Sequence, residues 1–363
     1  MPMTTSKTTL SRIAREASVS LATVSKVLNG RDGVAAETRA KVETLLREQG
    51  YKRPISAGPL GGLVEIVFNE IDSSWSIELI KGVVRAAREN NLSVILSKSG
   101  DRSRPGAEWL AGVLHRRPIG VILIFSDLTA DDKQQLRARN VPFVIVDPAG
   151  MPSADVTSIG SANWSGGYEA TKHLLDLGHT RIGMVTGAEG FMCSRARVSG
   201  FRSAIEAVGL EVDESLIVRG DFTRARGIAA TNELLSRPDR PTGIVTGNDV
   251  TAFGAYEAAL AHGLVIPRDL SIVGYDDIEA ASWVTPQLTT IRQPLGDMAE
   301  EATRLLLKLR SQTTVENVRL DLAIDIIVRG STSAPPHPSK GKRNSSQIRR
   351  EVGLAAGGER HAE

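Results

Sequence analysis

Apolar residues fall three and four apart through the first fifty positions, and then the period changes. Ile13, Ala14 and Ala17 form one inner stripe, Val24, Val27 and Leu28 a second, and Val42, Leu45 and Leu46 a third, the spacing of short amphipathic helices closing on one another. The first two helices are read over Thr9 to Ala17 and Ser20 to Asn29, with Ser18 and Val19 as the turn between them. The stretch YKRPISAGPLGG, from Tyr51, is too rich in Gly and Pro to carry a long helix and reads as a linker. From Leu63 buried-strand runs alternate with helix-period segments: LVEIVF (63–68), LSVILS (92–97), GVILIF (120–125), PFVIVD (142–147), RIGMVT (181–186), TGIVTG (242–247) and SIVGYD (271–276). Helical patterns lie at 75–90, 129–139, 163–177, 194–208, 224–236, 249–262 and 294–310. Such alternation predicts parallel sheets covered on both faces. A break between Asp147 and Gly160 divides the strands into two doubly wound lobes. The expected fold is therefore α/β: a small all-α headpiece (1–53), a linker (54–62), a two-lobed body (63–333) and a basic, disordered tail (334–363).

The headpiece has its own chemistry. Thr9 and Ser20 each stand ahead of a helical run, where a hydroxyl accepts from the free N–H groups of the first turn. Leu21 and Ala22 open the second helix, and Thr23, Ser25, Lys26 and Asn29 complete an outward face that is small, polar or basic. Two short helices across a two-residue turn form a helix-turn-helix, which lays its second helix in the major groove of DNA. The same pattern also suits a trihelical bundle whose outer face is only solvated.

Charge sharpens the choice. The net charge of +2 hides a gradient: residues 1–60 carry 10 Lys/Arg against 5 Asp/Glu, residues 61–332 carry 28 against 34, and the remainder 6 against 3. A basic amino end on an acidic body suits a protein that lays only that end on phosphates. The single cysteine, Cys193, excludes an internal disulfide and a multi-thiolate metal site and points to a reducing cytoplasm. No apolar run is long enough to span a membrane, and the amino end has no apolar signal core.

Catalytic patterns are missing: there is no GxSxG, HExxH, GxxxxGK[ST] or strand-linked GxGxxG, and the histidines are scattered. Neither a metal nor a cofactor is called for. Adjacent Asp276 and Asp277 point apart in an extended segment rather than at one substrate atom. A binding cleft fares better. Ligands of doubly wound sheets bind beyond the carboxyl ends of the strands, so two facing lobes place the site between them. A sugar offers apolar C–H faces and a rim of hydroxyls, which call for flat aromatics and for Asp, Asn and Arg. Asp72, Trp75, Asp147, Arg197, Phe222, Asn248 and Asp276 fall at or just after strand ends, or open the helices that follow. Each has a structural alternative: Trp75 and Phe222 as core, Asp147 as a turn residue before Pro148, Arg197 as a surface ion pair, Asn248 as an N-cap, and Asp276 as a scaffold residue.

The string VSLATVSKVLNG, with GYKRP after the third helix, resembles the headpiece of the lactose/galactose repressor (LacI/GalR) family, and the likeness runs to about Ser333. It implies a periplasmic-binding-protein-like body whose chain crosses between lobes near 160, 292 and 322. It also implies a homodimer on a near-palindromic DNA operator, controlled by a small-molecule effector, most readily a saccharide. In this resemblance Arg197 of SRARVSGF, Asn248 with Asp249, and Asp276 of VGYDD hold the effector, Phe222 stacks on it, and Trp75 stands for the aromatics of the first loop. Two departures stand out. The family continues NxxARxL into a hinge helix whose leucine wedges into the minor groove, whereas here Pro54, Gly58 and Pro59 precede Leu60, leaving Arg53 and Lys52 to track phosphates or the minor groove. Ala35 stands where a capping hydroxyl is usual. The rival readings are an exported sugar-binding protein, which lacks a basic headpiece, and a regulator answering a purine or nucleoside.

Overall fold

The computed structural model describes residues 5–28, 33–48, 61–71, 74–100, 106–124, 127–311 and 317–336. Asn29, Arg53, Asp72, the linker positions 54–60 and the tail from 337 lie outside them. Contacts divide the chain into two units, Met1–Leu60 and Gly61–Glu363.

In the first unit α1 (Thr5–Ala17), α2 (Leu21–Leu28) and α3 (Ala36–Glu48) close on Ile13, Ala14, Ala17, Val24, Val27 and Val42, with Val19, Leu45 and Leu46 packed against them. Ser18 turns the chain in the left-handed region at φ 59°, and the Val19 N–H donates to Ala14 O at 2.9 Å. Ser20 caps α2, its Oγ accepting from Thr23 N–H at 3.1 Å. Thr9 does not cap α1. That helix begins at Thr5, so Thr9 lies inside it, because TSKT offers no Gly or Pro to stop the helix propagating toward the amino end. Ala35 stands directly before α3 and has no side-chain oxygen with which to cap it.

The second unit begins with β1 (Gly61–Phe68), which takes in the last two residues expected to be linker. It continues through α4 (Ser74–Glu89), β2 (Leu92–Lys98), α5 (Ala107–Arg116), β3 (Gly120–Ile124), α6 (Ala130–Ala138), β4 (Phe143–Val146) and β5 (Ser158–Ser161). Next come α7 (Asn163–Asp176), β6 (Ile182–Val185), α8 (Met192–Ala207), β7 (Ile217–Val218), α9 (Arg224–Leu235), β8 (Gly243–Thr246), α10 (Asp249–Ala261), β9 (Ser271–Asp276) and β10 (Thr289–Arg292). The last elements are α11 (Leu295–Ser311), β11 (Arg319–Leu322) and β12 (Asp325–Ile327). The two sheets run β11-β5-β4-β3-β1-β2 and β12-β10-β9-β8-β6-β7.

The chain passes between the sheets after Ser161, after Arg292 and after Leu322. The expected all-parallel pairing holds except at β12, which is antiparallel to β10. The reason is geometric. β11 runs toward the cleft, and only Ala323 and Ile324 separate it from β12, so the chain enters the second sheet without turning and runs away from the cleft. Helix α5 is an addition to the sequence reading; it buries Trp109, Leu110 and Val113 against β3 and β4 residues such as Val121 and Phe143.

Each sheet is buried between helices. Val64, Ile66, Ile122 and Val144 pack with Leu79 of α4 and with Met298, Ala302 and Leu306 of α11. Ile244 and Ile272 pack with Ala230 and Leu234 of α9 and with Ala252 and Ala255 of α10. Burying each of the Val, Leu, Ile and Met side chains among them stabilises the fold by roughly 1.5–3 kcal/mol.

Candidate functional site

Arg197 sits on the second turn of α8, not at a strand end, and is 4% exposed. Helices α7 and α8 can place it there because they approach backbone to backbone: a Cβ on Gly167 would meet Arg197 O at 2.1 Å, and one on Gly200 would meet Trp164 O at the same distance. The Arg197 Nε–H donates to Asn163 Oδ1 at 2.8 Å and an Nη1–H to Gly247 O at 2.6 Å. The guanidinium carbon lies 3.5 Å from the Tyr275 ring centroid and 5.9 Å from that of Phe222. Both rings lie within cation–π reach of the buried charge, Tyr275 the closer.

Asp276 ends β9 at φ 115°, and its Oδ1 is 3.9 Å from Arg197 Nη1. Gln293 Nε2 donates to the same oxygen at 2.7 Å, and Gln293 Oε1 accepts from Ser161 Oγ at 2.6 Å. Burial pushes the Asp276 carboxyl up to about 7 against the opposing pull of Arg197. Asp147 follows β4, is 3% exposed, and is raised by burial to about 6, again opposed by Arg197. Its Oδ2 has no hydrogen-bond partner among the described residues. Asp277 points the other way, to Arg292 and Arg329, at 2.7 and 2.6 Å.

Asn248 is the N-cap of α10: its Oδ1 accepts from Thr251 N–H at 2.9 Å while its Nδ2 donates to Phe222 O at 3.2 Å. Phe222 is half-buried in the left-handed region at φ 71°. Its ring lies against Gly187, where a Cβ would approach to 2.0 Å, and 6.3 Å from the ring of Phe191. Trp75 is packed in the first lobe's hydrophobic cluster, which also takes in Ile278 from the second lobe. Its indole therefore belongs to the packed seam between the lobes and not to the Arg197 cluster. The lobes also meet through backbone, Met192 N–H donating to Ala149 O at 2.8 Å.

On the headpiece Ser20, Leu21, Ala22, Ser25 and Lys26 are exposed, Leu21 to 51%. Thr23 is half-buried and its hydroxyl is 2.9 Å from that of Ser20, so it supports the cap more than the outer face.

Comparison with known proteins bears on both units. Residues 9–54 match the bacterial regulatory proteins of the lacI family, and residues 171–332 a periplasmic-binding-protein-like domain. The chain is 35% identical over 329 residues to the ribose operon repressor of Escherichia coli (strain K12), covering 89% of this chain and 99% of that protein. The chain belongs to the lacI family of bacterial regulatory proteins. Among solved structures, the transcriptional regulator CelR in complex with cellobiose superposes with a TM-score of 0.68 at 31% identity, covering 91% of this chain and all of that one (100%). The lac repressor dimer bound to operator and the anti-inducer ONPF gives 0.73 at 27%, covering 92% and 100%. As a lacI-family protein the chain is a DNA-binding transcriptional regulator, not an enzyme.

Asn163, Tyr275 and Gln293 join this lacI-family cluster without having been singled out in the sequence. Asn163 and Gln293 sit in chain crossings, where a polar residue reads as loop. Tyr275 sits in an apolar strand, where an aromatic reads as core. The segment LTTIRQP at 288–294, which holds the crossing expected near 292, carried the one available signal, its Gln293.

Proposed function

We propose that this chain is a homodimeric repressor of genes for saccharide use, its hold on a near-palindromic operator set by a small saccharide bound between the two lobes. The observation that carries the reading is the Arg197 cluster: one guanidinium beside two carboxylates and an amide, with the ring of Phe222 alongside. That set offers a rim for hydroxyls and a face for C–H groups. Asp147, Arg197, Phe222, Asn248 and Asp276 form the effector site, with Asp72 a further candidate and Trp75 kept to the packing of the first lobe. The ribose and cellobiose named for two relatives are saccharides too. The polypeptide divides into headpiece (1–53), linker (54–62), body (63–333) and tail (334–363), and works in the cytoplasm where its DNA lies.

DNA is read by α2. Leu21 and Ala22 cannot hydrogen-bond a base and meet thymine methyls or sugar edges, Lys26 reaches guanine O6 and N7, and Ser20, Thr23, Ser25 and Asn29 serve phosphates or neighbouring bases. Two copies read two half-sites because a two-fold protein matches a two-fold site. The effector acts by binding one lobe arrangement more tightly than the other.

Calorimetric titration of the full chain with D-ribose, D-glucose, cellobiose and adenosine tests the reading. A sugar is expected to bind, Phe222→Ala and Asp276→Asn to weaken it at least tenfold, and operator affinity without sugar to stay within twofold. Unchanged sugar affinity in both variants would overturn the site. Heat from adenosine alone would make the effector a nucleoside.

A further inference from the structure

Every pairing in the first sheet is parallel, so the amino ends of its six strands lie together at one end of the lobe. Gly61, where the linker reaches β1, is at that end, in register with Leu92 of β2. The helices that lead into these strands, α4, α5, α6 and α11, finish there too, and each has a basic residue in its last turn. Arg116 of α5 is bonded to Glu65, and Arg137 of α6 to Asp155. Arg88, Arg117, Arg139, Lys308 and Arg310 are exposed, and among the described residues no hydrogen bond or ion pair holds their side chains. Arg137 and Asn140 line one depression with Arg310 and Asn317, which sets the ends of α6 and α11 side by side.

A helix dipole favours a cation at the carboxyl end of any helix, and by itself would treat the two lobes alike. They differ. In the second lobe α8, α9 and α10 have no basic residue in the last turn, and α7 has His173, whose Nε2 lies 2.9 Å from the Thr332 hydroxyl. Arg237, Arg240 and Arg268, beyond the ends of α9 and α10, are all bonded to protein groups. Exposed cations elsewhere on the first lobe are paired as well, Lys81 with Glu78, Arg85 with Glu300 and Lys98 with Glu70. Of the acids at the linker end, Glu89 is exposed beside Arg88, and Asp155 is already held by Lys133 and Arg137. On a body with 28 Lys/Arg against 34 Asp/Glu, unpaired positive charge thus gathers where the linker arrives.

We propose that the linker end of the first lobe is a second DNA-contacting surface, which lays its cations on backbone phosphates while the headpiece reads bases. The linker ties this end to the DNA-reading headpiece, so one duplex is presented to both at high effective concentration. Four of the five unpaired cations are arginines, whose planar fork suits phosphate oxygens. Such contacts hold the duplex and carry no sequence preference of their own.

Fluorescence anisotropy of the full chain on two duplexes of about 40 bp tests this, one carrying the site that the chain selects from a random-sequence library and one unrelated, across about 50 to 200 mM KCl. The triple variant Arg117→Ala, Arg139→Ala, Arg310→Ala is expected to bind both duplexes at least tenfold more weakly, with the preference between them unchanged within threefold. Its slope of log affinity against log salt becomes shallower by about 1 for each cation removed. The matching triple Arg117→Lys, Arg139→Lys, Arg310→Lys keeps the slope, because counterion release counts charge. Removing the same charge from the second lobe, with Lys172→Ala, Arg224→Ala and Arg268→Ala, leaves affinity and slope as they were. An unchanged slope in the first alanine variant overturns the surface. So does a slope lost in the lysine variant, or an equal fall in the second-lobe variant, which would show net charge acting at a distance. Each of these leaves the headpiece as the reader of DNA.

Discussion

Arg197 supplies one positive charge to the buried carboxylates Asp147 and Asp276, and the imbalance gives the site a pH dependence. Asp147 and Asp276 titrate near 6 and 7, well above an unfolded carboxyl near 4. A raised carboxyl means that the folded chain holds protons the unfolded chain has released, so stability contributed below pH 4 is lost as pH rises through 6 and 7. Asp147→Asn removes one of these groups. The variant is expected to melt higher than the wild type at pH 8, by an amount on the order of 2–3 kcal/mol in stability, and the advantage should shrink toward pH 5. Thermal unfolding of both chains from pH 5 to 8 checks this; a constant difference would show that Asp147 is not a strained carboxylate. Cys193, beside the same cluster, has its thiol pushed up to about 12 by burial and stays protonated throughout. At this scale the sequence named most of the side chains that meet around Arg197, chiefly through resemblance. It offered Asn248 as an N-cap, which it is, but could not reveal that Gln293 ties Asp276 to Ser161, since a side-chain bond between distant segments leaves no trace in local pattern.

Among elements, α3 starts after an alanine that cannot cap it. A hydroxyl or carboxylate at the cap position usually contributes about 1 kcal/mol, and Ala35 contributes none. Ala35→Thr should raise headpiece stability by about that much, read as a shift in the urea midpoint of residues 1–60, which contain a complete hydrophobic cluster of their own. An unchanged midpoint would mean that another group already satisfies the first turn. Strands with continuous apolar runs, such as Gly120–Ile124 and Phe143–Val146, are fully buried and were plain in the sequence. β11 reads RLDL and alternates exposed with half-buried positions, and β12 has three residues. Edge strands that short fall below any periodic signal. Helix α5 was missed for a different reason: SRPG, just upstream, reads as the start of a loop, and the ten helical residues that follow are few for a periodic pattern.

For the whole molecule, the linker sequence sets how DNA is held. Pro54, Gly58 and Pro59 disfavour a two-turn helix before Leu60, so specificity should rest on the major-groove half-sites and the operator should bend little. Circular permutation of an operator fragment measures the bend, and a strong bend abolished by Leu60→Ala would show that the leucine wedge is made after all. The three chain crossings matter in another way, during synthesis. The first lobe takes α11 and β11 from the far end of the body, and Met298, Ala302 and Leu306 pack on strands made more than 150 residues earlier. The second lobe waits for β12 and for Ser331, whose hydroxyl donates to Ile272 O at 2.6 Å. Neither sheet is complete until β12 and Ser331 have left the ribosome, whereas the headpiece can fold as soon as its three helices emerge. A growing chain thus has a formed DNA-reading end before it has a finished body, and a message cut short between residue 60 and β12 leaves that end without its regulator.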